Sequence, residues 1–253
     1  MKSILETDVL CKYFGGVKAV DKVSIQVEDN TIFGLIGPNG AGKTTFFNVL
    51  TGLLKPSSGR ILFKGEEITN FAPHRITGLG ISRTFQNIKL FEHLTVHENV
   101  KIGFHTKTRT GFIDAVLNNN TFKEDEFKAD KRGRELLKRV GLEGEEETLA
   151  QNLSYGKKRR LEIARALAAD PKLLLVDEPA AGMNAIETKE IVDLMRNLNK
   201  EGIVIVIIEH DMSVIMNLCD KIVVFNDGNV ISEGAPGEVK KDPKVIEAYL
   251  GKG

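Results

Sequence analysis

The hydrophobic positions of this 253-residue chain change period several times, and each change marks an element. Val23, Ile25 and Val27 alternate with Ser24 and Gln26, the period of a half-buried strand. Thr31-Ile32-Phe33-Gly34-Leu35-Ile36 is a short, almost continuous apolar run, as expected of a strand covered on both faces. Polar, glycine-rich sequence follows to Lys43. Phe46, Phe47, Leu50, Leu53 and Leu54 then recur near 3.6 residues, which predicts strand, glycine loop and helix in that order. Ile61-Leu62-Phe63 and Ile68 flank Lys64-Gly65-Glu66-Glu67 as a short hairpin.

The pattern changes character from Asn87 to Ala168. Residues 103–125 are polar, contain Asn118-Asn119-Asn120, and read as an inserted, mobile segment. Phe127, Leu136, Leu137 and Val140 predict a helix stopped by Gly141. Ser154 suits an N-cap for a second helix that ends before Pro171. Strand and helix then alternate again. Leu173-Leu174-Leu175-Val176 is a buried strand, Glu187 to Lys200 a helix with Ile191, Leu194, Met195 and Leu198 on one face, and Ile203 to Ile208 a second buried strand. Lys221–Phe225 and Val230-Ile231 flank Asn226-Asp227-Gly228-Asn229 as a hairpin, and Pro243 to Leu250 closes as a helix. The expected organisation is a single α/β domain, with residues 1–86 and 169–253 as core and 87–168 as an inserted helical lobe.

Composition narrows the function. Thirty-five basic and thirty-five acidic residues cancel, which disfavours a nucleic-acid binder. Two cysteines exclude a disulfide scaffold and a Cys-rich zinc site, and the five histidines show no HExxH spacing. The longest apolar run, Ile203 to Ile208, falls far short of the ~20 residues needed to cross a bilayer. Glu6 and Asp8 stand where a signal peptide would be apolar. A cytosolic protein is expected, with any membrane contact made through a partner.

Gly37-Pro38-Asn39-Gly40-Ala41-Gly42-Lys43-Thr44 matches G-x4-G-K-[ST]. A glycine-rich turn is the bland alternative, but the string follows a buried strand and opens a helix, as a phosphate-binding loop requires. Glycines let successive N–H groups point inward at a polyphosphate, and the helix N-terminus adds its positive end. Lys43 can reach the β- and γ-phosphates and Thr44 can ligate Mg²⁺. Asp177, at the end of a neighbouring buried strand, would hold the Mg²⁺ through water, and Glu178 would polarise the attacking water. Locally, Gln86 is only a polar residue before a loop, His210 a candidate structural histidine, and Tyr13 a packing residue.

Together these residues resemble an ATP-binding-cassette (ABC) ATPase. The loop Gly37–Thr44, Gln86, Leu153-Ser154-Tyr155-Gly156-Lys157, Leu173–Glu178 and His210 fall in that family's order and spacing. The resemblance implies a P-loop NTPase fold with a mainly parallel sheet core, an N-terminal antiparallel β subdomain and an inserted α-helical subdomain. It also implies that Tyr13 stacks on adenine with Val20 beside the ring, and that Gly37–Thr45, including Thr45, bind ATP. Gln86 would contact Mg²⁺ and signal to a membrane partner, and His210 would hold the γ-phosphate. Ser154 and Gly156 would act from a second cassette, so the unit would be a homo- or heterodimer on transmembrane permease subunits at the cytoplasmic face of the membrane, served indirectly by a substrate-binding protein.

The signature segment has Tyr155 and Lys157 in place of the usual first glycine and glutamine, and Asn184 stands where the family usually has Asp. Leu153–Leu167, Asp177–Asn184, Arg83–Gln86 with Leu90-Phe91, and Ala248–Gly251 are similar to the LivG-type ATPases that energise branched-chain amino acid import. A lipid or lipopolysaccharide exporter ATPase is the nearest alternative. A DNA-repair or translation cassette would carry two cassettes or coiled-coil insertions, and a non-hydrolysing regulator would not need intact Lys43, Asp177, Glu178 and His210.

Overall fold

The computed structural model describes residues 3–86, 88–104 and 120–250. The expected mobile segment at 103–125 lies mostly outside these residues, as do Asn87 and Gly251. The chain forms two compact units, Met1–Ile76 with Lys172–Gly253, and Thr77–Pro171. The inserted unit is thus longer at both ends than the span 87–168 read from hydropathy. Phe85 and Gln86 belong to it because their backbone is bonded to side chains of its last helix, a link that no apolar period records.

In the first unit a long strand, β1 (Ser3–Phe14), pairs antiparallel with β2 (Val17–Val23), β3 (Gln26–Glu28) and β5 (Ser58–Phe63), and β5 pairs with β6 (Glu66–Glu67). Val23, Ile25 and Val27 are all buried, as their alternation requires, yet they do not share one strand: Val23 ends β2, Val27 is in β3, and Ile25 lies in the break between them. The buried Thr7 bridges the break: its hydroxyl donates to the Val23 carbonyl at 3.1 Å and accepts from the Ile25 N–H at 3.1 Å.

The second sheet of this unit runs β11-β10-β4-β9-β8, from β4 (Ile32–Ile36), β8 (Leu173–Asp177), β9 (Val204–Ile208), β10 (Lys221–Asn226) and β11 (Asn229–Gly234). Its pairs are parallel except β10 with β11. Every residue of β4, β8 and β9 is buried, which explains their uninterrupted apolar sequence. Gly34 is required here, since a Cβ would stand 2.9 Å from Cys219 Sγ. The tight turns at Lys64-Gly65 and Asp227-Gly228 have positive φ at both residues, the geometry that matches strand twist.

Among the described residues, five helices lie wholly in this unit: α1 (Lys43–Leu50), α6 (Ala185–Lys200), α7 (Met212–Leu218), α8 (Pro236–Val239) and α9 (Pro243–Leu250). α1 is shorter than its apolar pattern suggests. Gly52 at φ +70° turns the chain after the Thr51 C-cap, so Leu53 and Leu54 fall beyond the helix. α2 (Pro73–Leu79) leads into the second unit.

The second unit holds β7 (Ile81–Arg83), α3 (Val96–Gly103), α4 (Asn120–Arg139), a 3-10 turn (Ala150–Asn152) and α5 (Tyr155–Ala168). α3 opens on a reciprocal cap between Thr95 and Glu98. Leu137 of α4 and Val140 in the turn just after it are buried as expected, but Phe127 is 72% exposed. The inward face of α4 is set by a polar contact instead: His97 Nε2 meets Asp130 Oδ1 at 2.7 Å, and Gly133 leaves room for the imidazole.

Candidate functional site

The glycine loop takes its shape from backbone constraints. Gly37, Gly40 and Gly42 all have positive φ. A Cβ on Gly37 would stand 2.1 Å from the Phe225 carbonyl oxygen and one on Gly42 2.0 Å from that of Ala19, so two of the glycines are fixed by packing as well. Gly42 is the N-cap of α1 and supplies no side-chain cap, leaving the helix start to other acceptors. Ala41 is buried, Pro38 and Thr45 are half-buried, and Asn39, Gly40 and Thr44 are exposed. Lys43 is buried, and its ammonium donates to the carbonyls of Gly37 at 2.6 Å and Pro38 at 3.0 Å. Burial lowers the Lys43 pKa, while the charges of Glu178 and Asp177 act in the opposite direction.

Those carboxylates leave the carboxyl end of β8. Asp177 is buried. Glu178 has φ +47°, a costly conformation for a residue with a Cβ, and its N–H is tied to the Ile208 carbonyl at 2.9 Å. His210, just past β9, is mostly exposed, and its Nδ1 lies 3.9 Å from Glu178 Oε2. Lys43, Asp177, Glu178 and His210 therefore gather at the carboxyl ends of neighbouring parallel strands, where open α/β sheets place ligands.

Sequence reasoning missed Glu209. Its buried carboxylate accepts from the N–H of Ala180 at 2.8 Å and of His210 at 3.2 Å, holding the turns after β8 and β9 together. Burial raises its pKa, opposed by those contacts. A lone glutamate at the end of a fully apolar strand was the available signal.

Near the other sheet, the Tyr13 hydroxyl donates to Asp21 Oδ1 at 2.7 Å and its ring is half-buried. Val20 has no exposed surface and supports the hairpin from within. Phe14 and Val17 are the apolar side chains that face outward there.

In the second unit Gln86 is exposed, and its carbonyl accepts from Arg159 at 2.9 Å. Ser154 caps α5 through a long bond of 3.4 Å from the Lys157 N–H, and Gly156 is buried. Tyr155 finds room by turning outward, 47% exposed. Asn184 is explained as a helix cap: its Oδ1 accepts from Ile186 and Glu187 N–H groups, and Glu187 returns the bond. A cleft of about 640 Å³ within this unit is lined by Phe85, Lys89, Phe91 and Arg165. Phe104, at the end of α3, is buried beneath Arg132 and forms no part of that lining.

Among the described residues no cluster of three or more His, Cys, Asp or Glu side chains could hold a metal, and no helix is long and apolar enough to cross a membrane. The hydroxyl and carboxylate of Thr44 and Asp177 are hard oxygen donors, a set that fits Mg²⁺ shared with phosphates.

A family described as ABC transporter matches residues 20–181. The chain belongs to the ABC transporter family. The last 25 residues of this cassette, 229–253, match a second family, described as branched-chain amino acid ATP-binding cassette transporter. The cassette is 41% identical over 249 residues to the high-affinity branched-chain amino acid transport ATP-binding protein LivG of Salmonella typhimurium, covering 98% of each chain. It resembles the crystal structure of the ADP conformation of an ABC transporter cassette, with TM-score 0.87, 35% identity and full coverage of both chains. A dimeric cassette in a post-hydrolysis state with ADP and Pi matches at TM-score 0.78 and 26% identity, over 92% of this chain and 98% of that one. The cassette is thus an ATPase with a P-loop NTPase fold, the ATP-binding subunit of a transporter.

Proposed function

We propose that this cassette hydrolyses Mg-ATP at a site shared between two cassettes, and that it powers import of branched-chain amino acids. What carries the reading of the site is Lys43, buried against the loop carbonyls while the charges of Asp177 and Glu178 act on it. The likeness of residues 229–253 and of the whole chain to branched-chain amino acid cassettes supports the cargo.

The loop Gly37–Thr45 would cradle the phosphates with its N–H groups, and Lys43 would leave the Gly37 and Pro38 carbonyls for the β- and γ-oxygens. Tyr13 would stack on adenine. Mg²⁺, when bound, would be held by Thr44, Gln86 and, through water, Asp177, and would offset the charge of the phosphates. Glu178 would accept a proton from the attacking water as the new P–O bond forms and the bond to ADP breaks. His210 would hold the γ-phosphate and that water. Ser154 and Gly156 of a second cassette would close over the same phosphate from their helix N-terminus. Closure on ATP and opening after hydrolysis supply the two states that drive transmembrane permease subunits. The permease would dock at residues 87–91 on the lobe, of which Asn87 lies outside the described residues, with the whole assembly at the cytoplasmic face. A substrate-binding protein would deliver the cargo, and no nucleic acid is involved.

Glu178→Gln tests the site. It is expected to keep ATP affinity, hydrolyse at least about 100-fold more slowly, and run as an ATP-dependent dimer in gel filtration. A monomeric variant with normal turnover would overturn the role of Glu178. Leucine uptake by vesicles holding the cassette with its co-purified membrane polypeptides tests the cargo, and uptake unaffected by ATP would overturn it.

A further inference from the structure

Among the described residues Arg159 is the largest side chain with no exposed surface, and Glu162, one turn along α5, is almost as deeply buried. Their 2.8 Å ion pair is an unusual thing to place inside a small helical unit, because the desolvation of two charges offsets much of their attraction. Well-packed apolar residues would serve stability as well. What the pair does that apolar residues could not is grip a piece of backbone. Arg159 Nη1 donates to the Phe85 carbonyl at 2.7 Å, and Nη2 to the Gln86 carbonyl at 2.9 Å. The Phe85 N–H in turn donates to Glu162 Oε1 at 3.1 Å. Both polar groups of Phe85 and the carbonyl of Gln86 are thereby held by one face of one helix.

The same helix begins at Ser154. Arg159 stands five residues further on, about 7.5 Å along the axis, and its Nη2 is also 3.4 Å from the Tyr155 hydroxyl. The group expected at the cassette's own Mg-ATP and the group expected at the partner cassette's γ-phosphate are therefore fixed to a single stiff element. We propose that Arg159 and Glu162 are positioning residues for hydrolysis: they lock the Gln86 backbone to the helix that carries Ser154, so that both reach their phosphates together. This rests on the roles given above to Gln86 and Ser154.

Arg159→Met alone leaves Glu162 buried without its partner and is expected to fold poorly. The working variant is the double substitution Arg159→Met/Glu162→Leu, which removes both charges at similar volume and is expected to melt within a few degrees of wild type. In steady-state ATPase assays of the full chain, its kcat should fall about tenfold, with KM and ATP affinity within about twofold. In a Gln86→Ala background the same double substitution should cost less than about twofold in kcat, because two residues that act through one group are not additive. Arg159→Lys, which keeps the charge but loses the fork, should fall between.

An unchanged kcat in the double variant overturns the proposal. So does an equal loss with and without Gln86, which marks a merely structural pair. Glu178→Gln, measured beside them, separates the two readings: if it abolishes hydrolysis while the double variant turns over normally, the composite site stands and the positioning role falls.

Discussion

Two helix N-termini, one in each unit, carry the groups expected at phosphate, and they are built in opposite ways. α1 starts from Gly42, without a capping side chain, on a loop where a Cβ at Gly37 or Gly42 would stand about 2 Å from a carbonyl oxygen. α5 starts from Ser154, whose own hydroxyl reaches back to its first turn, and the segment that must work with it is tied down by Arg159 and Glu162. The first is shaped by backbone sterics. The second is fixed by side-chain bonds to backbone, which can be exchanged as packed glycines cannot.

The sharpest way to break this contrast is to remove the phosphate-facing charge. Lys43→Ala should weaken ATP binding by about two orders of magnitude or more and abolish hydrolysis with it. Unchanged affinity in a calorimetric titration would refute the cradle. Next come the glycines. Gly37→Ala and Gly42→Ala should each destabilise the chain by about 3 kcal/mol or more in urea unfolding. Gly40→Ala, which meets nothing within 4 Å, should cost only the ~1 kcal/mol of a left-handed residue. Equal costs at all three would show that packing does not fix the loop.

Ser154→Ala sharpens the comparison from the other side. Its capping bond is long, so the stability loss should be about 0.5 kcal/mol. ATP affinity of the single chain should not change, while hydrolysis should fall; a parallel loss of affinity would place Ser154 at its own nucleotide. The smallest effect concerns Asp21. The Tyr13 hydroxyl, and then Lys18, hold its carboxyl below the ordinary 3.8, so the contact contributes above that pH and is lost as pH falls through the lowered value. An NMR titration should show the Asp21 pKa returning toward 3.8 in Tyr13→Phe, and no change would remove the contact from the account.

Legibility followed distance along the chain. The glycine loop, the Asp177-Glu178 strand end, the Ser154 cap and both tight hairpins were readable because each depends on a few consecutive residues. Glu209 was missed because its partners, Ala180 and His210, come together only when β8 and β9 align. The burial of Val20 was not legible either, because family order says nothing about which face of a strand is covered. Phe127 was assigned to an apolar stripe that the His97–Asp130 contact, made across 33 residues, had displaced.

What the chain alone determined is the candidate phosphate loop: a buried strand, Gly37, Gly40 and Gly42 and the helix that follows are legible in consecutive residues, while Phe225 and Ala19, remote in sequence, complete its shape. What only the tertiary structure decided is how Gln86 is held. The bond from Arg159 to Phe85 spans 74 residues, and local preferences cannot choose between pairings so far apart. Burial makes the choice, because a charged pair taken out of water must find every one of its partners inside.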